Sequence, residues 1–183
     1  MMVKICGITR REDALAAVDA GASAIGFIFY SKSPRYVPPL TAAALGDGLD
    51  TWKVGVFVDE SPAAIEAVMR AARLDIAQIY GGSAPLHTRV WKAFRPADSV
   101  SADGAEAVLL DGPANGVSFD WTLARNSSGK IILAGGLDAS NVAEAIRIAQ
   151  PWGVDASSKL ESAPGIKDHE KMRAFVKAAR EAK

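Results

Sequence analysis

Val3-Lys4-Ile5-Cys6-Gly7-Ile8-Thr9-Arg10, written VKICGITR, is the stretch on which the choice of fold turns. The apolar run Val3–Ile8 reads as a first strand. An open, doubly wound nucleotide-binding sheet would follow that strand with a Gly-x-Gly-x-x-Gly turn, where backbone closes on a pyrophosphate. The residues present are Cys6-Gly7-Ile8-Thr9-Arg10, which do not make that turn. The same stretch holds the only cysteine of the chain, set at the end of the run and followed at once by glycine. A closed barrel, whose strand ends line the mouth of an active site, suits both features.

The rest of the chain agrees. Short apolar runs at Ala24–Phe29, Val54–Val58, Ile76–Tyr80, Val90–Phe94, Ala107–Leu110, Ile131–Ala134 and Gly153–Ser157 read as seven more strands. Several are near-continuous rather than alternating, as in parallel strands covered on both faces. Ile65, Val68, Met69 and Ala72 fall at i, i+3, i+4, i+7, the spacing of one helix face, and so do Met172, Phe175, Val176 and Ala179. Thr9 with Glu12 has the form of a capping box, and Ser61-Pro62 offers an N-cap before a first-turn proline. Asp168, with Arg180 and Lys183, matches the polarity of a last helix. The reading is an α/β protein, a compact (β/α)8 TIM barrel forming a single domain over residues 1–183. Shared among eight units, 183 residues leave about 23 for each, against about 250 residues in a usual barrel. Between Gly82 and Glu106 the pattern holds one strand and no amphipathic helix, so helices 4 and 5 are expected to be short or irregular.

Composition narrows the partners. Lys+Arg and Asp+Glu number 21 each, so the net charge is zero. A basic footprint for nucleic acid or an anionic membrane is missing. No apolar run approaches the roughly 20 residues of a membrane span, and the N-terminus lacks the pattern of a signal peptide. One cysteine cannot close an intrachain disulfide, which suits a reducing compartment. The expectation is a cytoplasmic chain, monomer or homodimer, acting on a small molecule.

In a barrel, the chemistry sits at the C-terminal ends of the strands. Those ends carry Cys6, Asp59, Tyr80, Arg95, Asp111, Gly135-Gly136, and Asp155 with Ser157-Ser158. Side chains alternate along a strand, so Lys4 and Cys6 share the inner face, and a cation one layer below would favour the reactive thiolate. The competing reading of Cys6 is a small buried hydrophobe. Asp111 shares a face with Leu109 and points inward at the mouth. Raised by apolar surroundings, it could protonate a leaving oxygen, or it could simply cap the next turn. Ile132–Leu137, followed by a helical pattern around Val142–Ile148, resembles an anion cradle of exposed N–H groups, and Ser157-Ser158 adds two hydroxyls. Pro34 stiffens the loop before Arg35, whose planar fork fits a carboxylate or phosphate. His87 and His169 lie apart, without an acidic partner or ligand spacing. The four tryptophans read as packing.

The segments VKICGITR, AIGFIFYSKSPRYV, VGVFVD, ILAGGL, NVAEAI, PWGVDASS and ESAPGIKD resemble the phosphoribosylanthranilate isomerase family, (β/α)8 barrels of tryptophan biosynthesis. The resemblance runs from Val3 to about Phe175. It implies a cofactor-free Amadori rearrangement of N-(5'-phosphoribosyl)anthranilate to 1-(2-carboxyphenylamino)-1-deoxyribulose 5-phosphate. It also implies Cys6 as general base, Asp111 as general acid and Arg35 on the anthranilate carboxylate. Gly135, Gly136, Ser157 and Ser158 would hold the phosphate, and Asp155 would lie near the sugar. Three positions depart from the family. Tyr80 stands where histidine is usual, Lys159 where a small residue follows the serines, and residues 112–118 lack a denser glycine run. Lys159 is expected to lend the phosphate a cation. The alternatives are a degenerate barrel that binds a phosphorylated ligand without catalysis, and a related sugar-phosphate isomerase. The second is disfavoured because the histidine-pathway enzymes use aspartate where Cys6 stands.

Overall fold

The computed structural model describes residues 1–84, 87–95, 103–113, 118–125 and 127–182. Eight parallel strands close into a barrel in sequence order, the last pairing with the first. They are β1 (Met2–Cys6), β2 (Ala24–Ile28), β3 (Trp52–Val58), β4 (Ile76–Tyr80), β5 (Arg89–Phe94), β6 (Ala107–Leu110), β7 (Ile131–Leu133) and β8 (Gly153–Ala156). The helices are α1 (Arg11–Asp19), α2 (Pro39–Gly46), α3 (Pro62–Ala71), α4 (Thr122–Arg125), α5 (Val142–Ala149) and α6 (His169–Glu181).

The two-residue alternation of the strands builds two separate cores. Val3, Ile5, Ile25, Phe27, Ile79, Leu110 and Leu133 face outward and meet Ile65, Met69, Val142, Ile146, Phe175 and Val176 of the helices. The alternate positions Met2, Ala24, Val54, Ile76, Trp91, Leu109 and Ile132 fill the barrel. Three of the four tryptophans plug its N-terminal end. Trp91 stands edge-on to Trp52 and Trp152, with ring centroids 6.3 and 6.0 Å away.

Helix starts show which local signals survive folding. Ser61 accepts from the Ala64 N–H, and Asp168 accepts from the Glu170 and Lys171 N–H groups. The Thr9–Glu12 capping box does not form. Thr9 donates its hydroxyl to the Gly165 carbonyl, Arg10 takes the N-cap position without a capping hydrogen bond from its side chain, and Glu12 pairs with Arg10. The expected shortening is present: among the described residues no helix lies between β4 and β5 or between β5 and β6. It extends further than the sequence pattern suggested, because α4, between β6 and β7, is a single turn. A hairpin that the sequence did not announce, β9 (Glu161–Ala163) with β10 (Ile166–Lys167), follows β8. His169 also differs from expectation. Its Nε2 lies 2.8 Å from Oδ1 of the buried Asp13, tying the start of α6 to α1.

Candidate active site

A cavity of about 610 Å³ opens at the C-terminal mouth of the barrel. Cys6, Asp111 and Asp155 line it, together with Arg35, Gly135, Gly136, Ser157 and Ser158. Asp59, Tyr80, Arg95 and Lys159 line it as well, so the strand ends singled out from sequence converge on one space. Around the ring, β6 stands three strands from β1 by way of β7 and β8.

The floor is charged. Lys4 is fully buried, and its Nζ donates to Asp155 Oδ2 at 2.9 Å across the β1–β8 pairing that sets the two residues side by side. Burial works against the Lys4 ammonium, yet Asp155 and Cys6 together hold its pKa above the ordinary value. Lys4 does favour the thiolate, as expected, but it does not prevail. Burial pushes the Cys6 thiol above its usual pKa; Lys4 pulls the other way, but its charge is shared with Asp155, which pushes the thiol up. Gly26 makes the room: a Cβ there would sit 2.8 Å from Cys6 Sγ and 3.1 Å from Lys4 Cε.

Three strands round the ring, Asp111 follows β6 and hangs from the sheet by its N–H, which donates to the Phe94 carbonyl. Burial lifts its carboxyl above the ordinary range. The Tyr80 hydroxyl, the Gly112 N–H, Lys4 and Arg95 hold it back. Tyr80 donates to Asp111 Oδ2 at 3.0 Å, and Gln78 Nε2 donates to the Tyr80 oxygen at 3.4 Å. Among the described residues, Asp155 Oδ1 and Gln78 Oε1 are buried without a hydrogen-bond partner. Two orphaned acceptors in the cavity lining are costly unless a ligand's hydroxyls complete them.

At the rim, Arg35 lies over β1 because Gly7 lacks a side chain: a Cβ at Gly7, where φ is +76°, would meet Arg35 Cδ at 2.6 Å. Glu161 of β9 takes one edge of the guanidinium, from Nε and Nη2, both at 2.7 Å. Lys167 of β10 donates to the same carboxylate at 2.8 Å. Burial pushes the Glu161 carboxyl up, but the Arg35 and Lys167 hydrogen bonds outweigh it and hold its pKa below the ordinary value. Arg35 therefore enters the site as a braced group, with Nη1 making no hydrogen bond among the described residues. Ser157 is also engaged, since its hydroxyl donates to the Cys6 carbonyl at 3.0 Å. Gly135 and Gly136 both turn through positive φ, 87° and 67°. Asn141 braces that turn by donating to the Gly136 carbonyl and accepting from the Asp138 N–H. The start of α5 is thus tied to the glycine turn.

Gln78, Glu161 and Lys167 were not foreseen. The first had a usable signal, since it lies two residues before Tyr80 on one strand and so shares its inner face. The other two belong to the unannounced hairpin. In the loop 112–118, residues 114–117 lie outside the described residues.

With the site in view, similarities to known proteins carry weight. The profile of the family described as N-(5'phosphoribosyl)anthranilate (PRA) isomerase matches residues 3–178. The chain is 52% identical to N-(5'-phosphoribosyl)anthranilate isomerase of Solibacter usitatus, over 100% of this chain and 98% of that one. Its fold is similar to the phosphoribosyl anthranilate isomerase of Thermus thermophilus, with a TM-score of 0.91, 37% identity and 100% of both chains covered. It is also similar to a phosphoribosyl anthranilate isomerase solved with reduced 1-(o-carboxyphenylamino)-1-deoxyribulose 5-phosphate, with a TM-score of 0.86, 36% identity and 98% of both chains covered. A profile match along nearly the whole chain, above a barrel mouth lined by Cys6 and Asp111, settles the kinship: the chain belongs to the phosphoribosylanthranilate isomerase family.

Proposed function

We infer that this chain converts N-(5'-phosphoribosyl)anthranilate to 1-(2-carboxyphenylamino)-1-deoxyribulose 5-phosphate in tryptophan biosynthesis, with Asp111 as general acid and Cys6 as general base. The observation that carries the assignment of roles is the single cavity lined by both groups, each lifted by burial. Asp111 gives its proton to the furanose ring oxygen as the C1'–O bond breaks, and the nitrogen lone pair forms the iminium. Cys6, as thiolate, removes the C2' proton, which the iminium has made acidic. Those electrons form the C1'=C2' bond and neutralise the nitrogen. The enolamine then takes a proton at C1' and releases its C2' hydroxyl proton, becoming the ketone. An acid and a base lining one cavity serve both steps without moving the sugar.

Arg35, braced by Glu161, offers its remaining edge to the anthranilate carboxylate. Gly135 and Gly136 present backbone N–H groups to the phosphate, with Ser158 and the Lys159 cation beside them. Ser157 acts through the Cys6 carbonyl it holds. Asp155 Oδ1, without a partner in the cavity, accepts a sugar hydroxyl. Among the described residues no helix is long and apolar enough to cross a membrane. We place the chain in the cytoplasm as a single-domain monomer or homodimer. Expression in a tryptophan auxotroph lacking this isomerase tests the reading: growth without tryptophan is expected, and failure to grow despite folded protein would contradict it.

A further inference from the structure

We propose that Tyr80 is a positioning residue for the general acid: its one hydroxyl proton is committed to Oδ2 of Asp111, so Oδ1 is the oxygen that carries and delivers the proton to the substrate. The proposal rests on the role given to Asp111 above and assigns a task to a residue that departs from the family's usual histidine.

The geometry is directional. Gln78 Nε2 donates to the Tyr80 oxygen at 3.4 Å, so the phenol's own proton is free to point one way, toward Asp111 Oδ2 at 3.0 Å. Gln78 and Tyr80 share the inner face of β4, and Tyr80 packs against the barrel interior. Its neighbour in register on β5 is Ala93, whose small side chain lets the phenol reach past β5 to Asp111. A hydroxyl bonded to one carboxyl oxygen leaves the other to hold the acidic proton.

The same bond counters burial. A donor to the ionised form of a carboxyl favours that form. Burial favours the protonated Asp111 carboxyl, and Tyr80 supports the carboxylate that each transfer leaves behind. Tyr80 itself remains a neutral donor, because burial and the Asp111 charge push its own pKa well above the ordinary value. The other charged groups that face Asp111 are Lys4 from β1, Arg95 at the end of β5 and Asp155 from β8. Lys4 and Asp155 are themselves an ion pair at 2.9 Å.

Tyr80→Phe keeps the ring and removes the proton. A carboxyl titrates below a thiol, so the acid limb of kcat/KM reports Asp111 and the alkaline limb reports Cys6. In protein with 13C-labelled aspartate, the Asp111 carboxyl resonance is identified by its loss in Asp111→Asn and followed by NMR against pH. The expected result in Tyr80→Phe is an Asp111 titration about one pH unit higher, the scale of one hydrogen bond to a charged group. The acid limb of kcat/KM for N-(5'-phosphoribosyl)anthranilate is expected to move up with it, while the alkaline limb stays. An unchanged titration, or an acid limb that does not move, overturns the proposal. Full turnover by Asp111→Asn would instead overturn the role of Asp111, and the NMR titration separates the two failures.

Discussion

The two ends of the barrel interior are built from the same eight strands and could hardly differ more. At the N-terminal end, Trp52, Trp91 and Trp152 close the barrel with stacked and edge-on rings, and Arg89 and Lys130 cover two of those rings from outside, 4.7 and 4.9 Å from the centroids. Two to four residues further along the strands, the interior holds a buried ion pair, a thiol, a lifted carboxyl and two acceptors without partners. One end is apolar and packed with rings, and its orphaned polar atom among the described residues is a single indole donor, Trp91 Nε1. The other is strained electrostatically, which is where a substrate has something to complete. The contrast predicts that substitutions at the plug cost stability and those at the mouth cost turnover.

The largest effect that would break this division is at Asp111. Asp111→Asn is expected to lose about 10³-fold in kcat. Folding disfavours the ionised carboxyl, so its stabilising influence is present at low pH and is lost as pH rises through the raised folded pKa. The amide removes that cost, and thermal melting at neutral pH should rise by about 2–4 °C. A lower melting temperature would argue that the mouth is structural. Trp91→Ala is the converse: a loss of about 3–5 kcal/mol in chemical denaturation, with kcat per folded molecule unchanged. Loss of kcat in folded Trp91→Ala protein would show that the two ends are not separable.

Smaller effects sharpen the boundary at the rim. Glu161→Gln is expected to cost about 2 kcal/mol at neutral pH, because Arg35 and Lys167 lose a buried carboxylate. The Glu161 pKa is depressed in the folded chain, so its contribution is present above the ordinary carboxylate value and lost as pH falls through the folded one. Denaturation curves of the variant and wild type should therefore converge in acid, and a constant gap would contradict the assignment. The smallest effect is at Lys159, exposed on the cavity rim. Lys159→Ala should raise KM about fivefold with kcat unchanged, and the difference should shrink in high salt. A salt-independent change would mean that Lys159 does not act as a charge on the phosphate.

How much of this was legible beforehand follows from distance along the chain. The strands at Ile76–Tyr80 and Ala107–Leu110 match their apolar runs, and the caps at Ser61 and Asp168 act within three residues of themselves. Strand ends gave the cavity, because the barrel places them together whatever their sequence separation. What escaped was side-chain pairing between distant segments. Thr9 turned to Gly165, 156 residues away, and left its capping box. Lys4 spent its charge on Asp155, and Arg35 on Glu161, across 151 and 126 residues. No local pattern encodes such partners, and each changed the electrostatics of a residue that had been correctly located. Choosing Asp111 over Asp59 and Asp155 likewise required the family resemblance, since all three line the same cavity.

The account stands on a thiol and a carboxyl working on one sugar, and the fluorescence of N-(5'-phosphoribosyl)anthranilate reads that directly. Purified protein should make the signal decay, and Cys6→Ala should slow the decay by about 10³-fold with its melting curve intact. A Cys6→Ala protein that consumes the substrate at the wild-type rate would contradict the account at its centre.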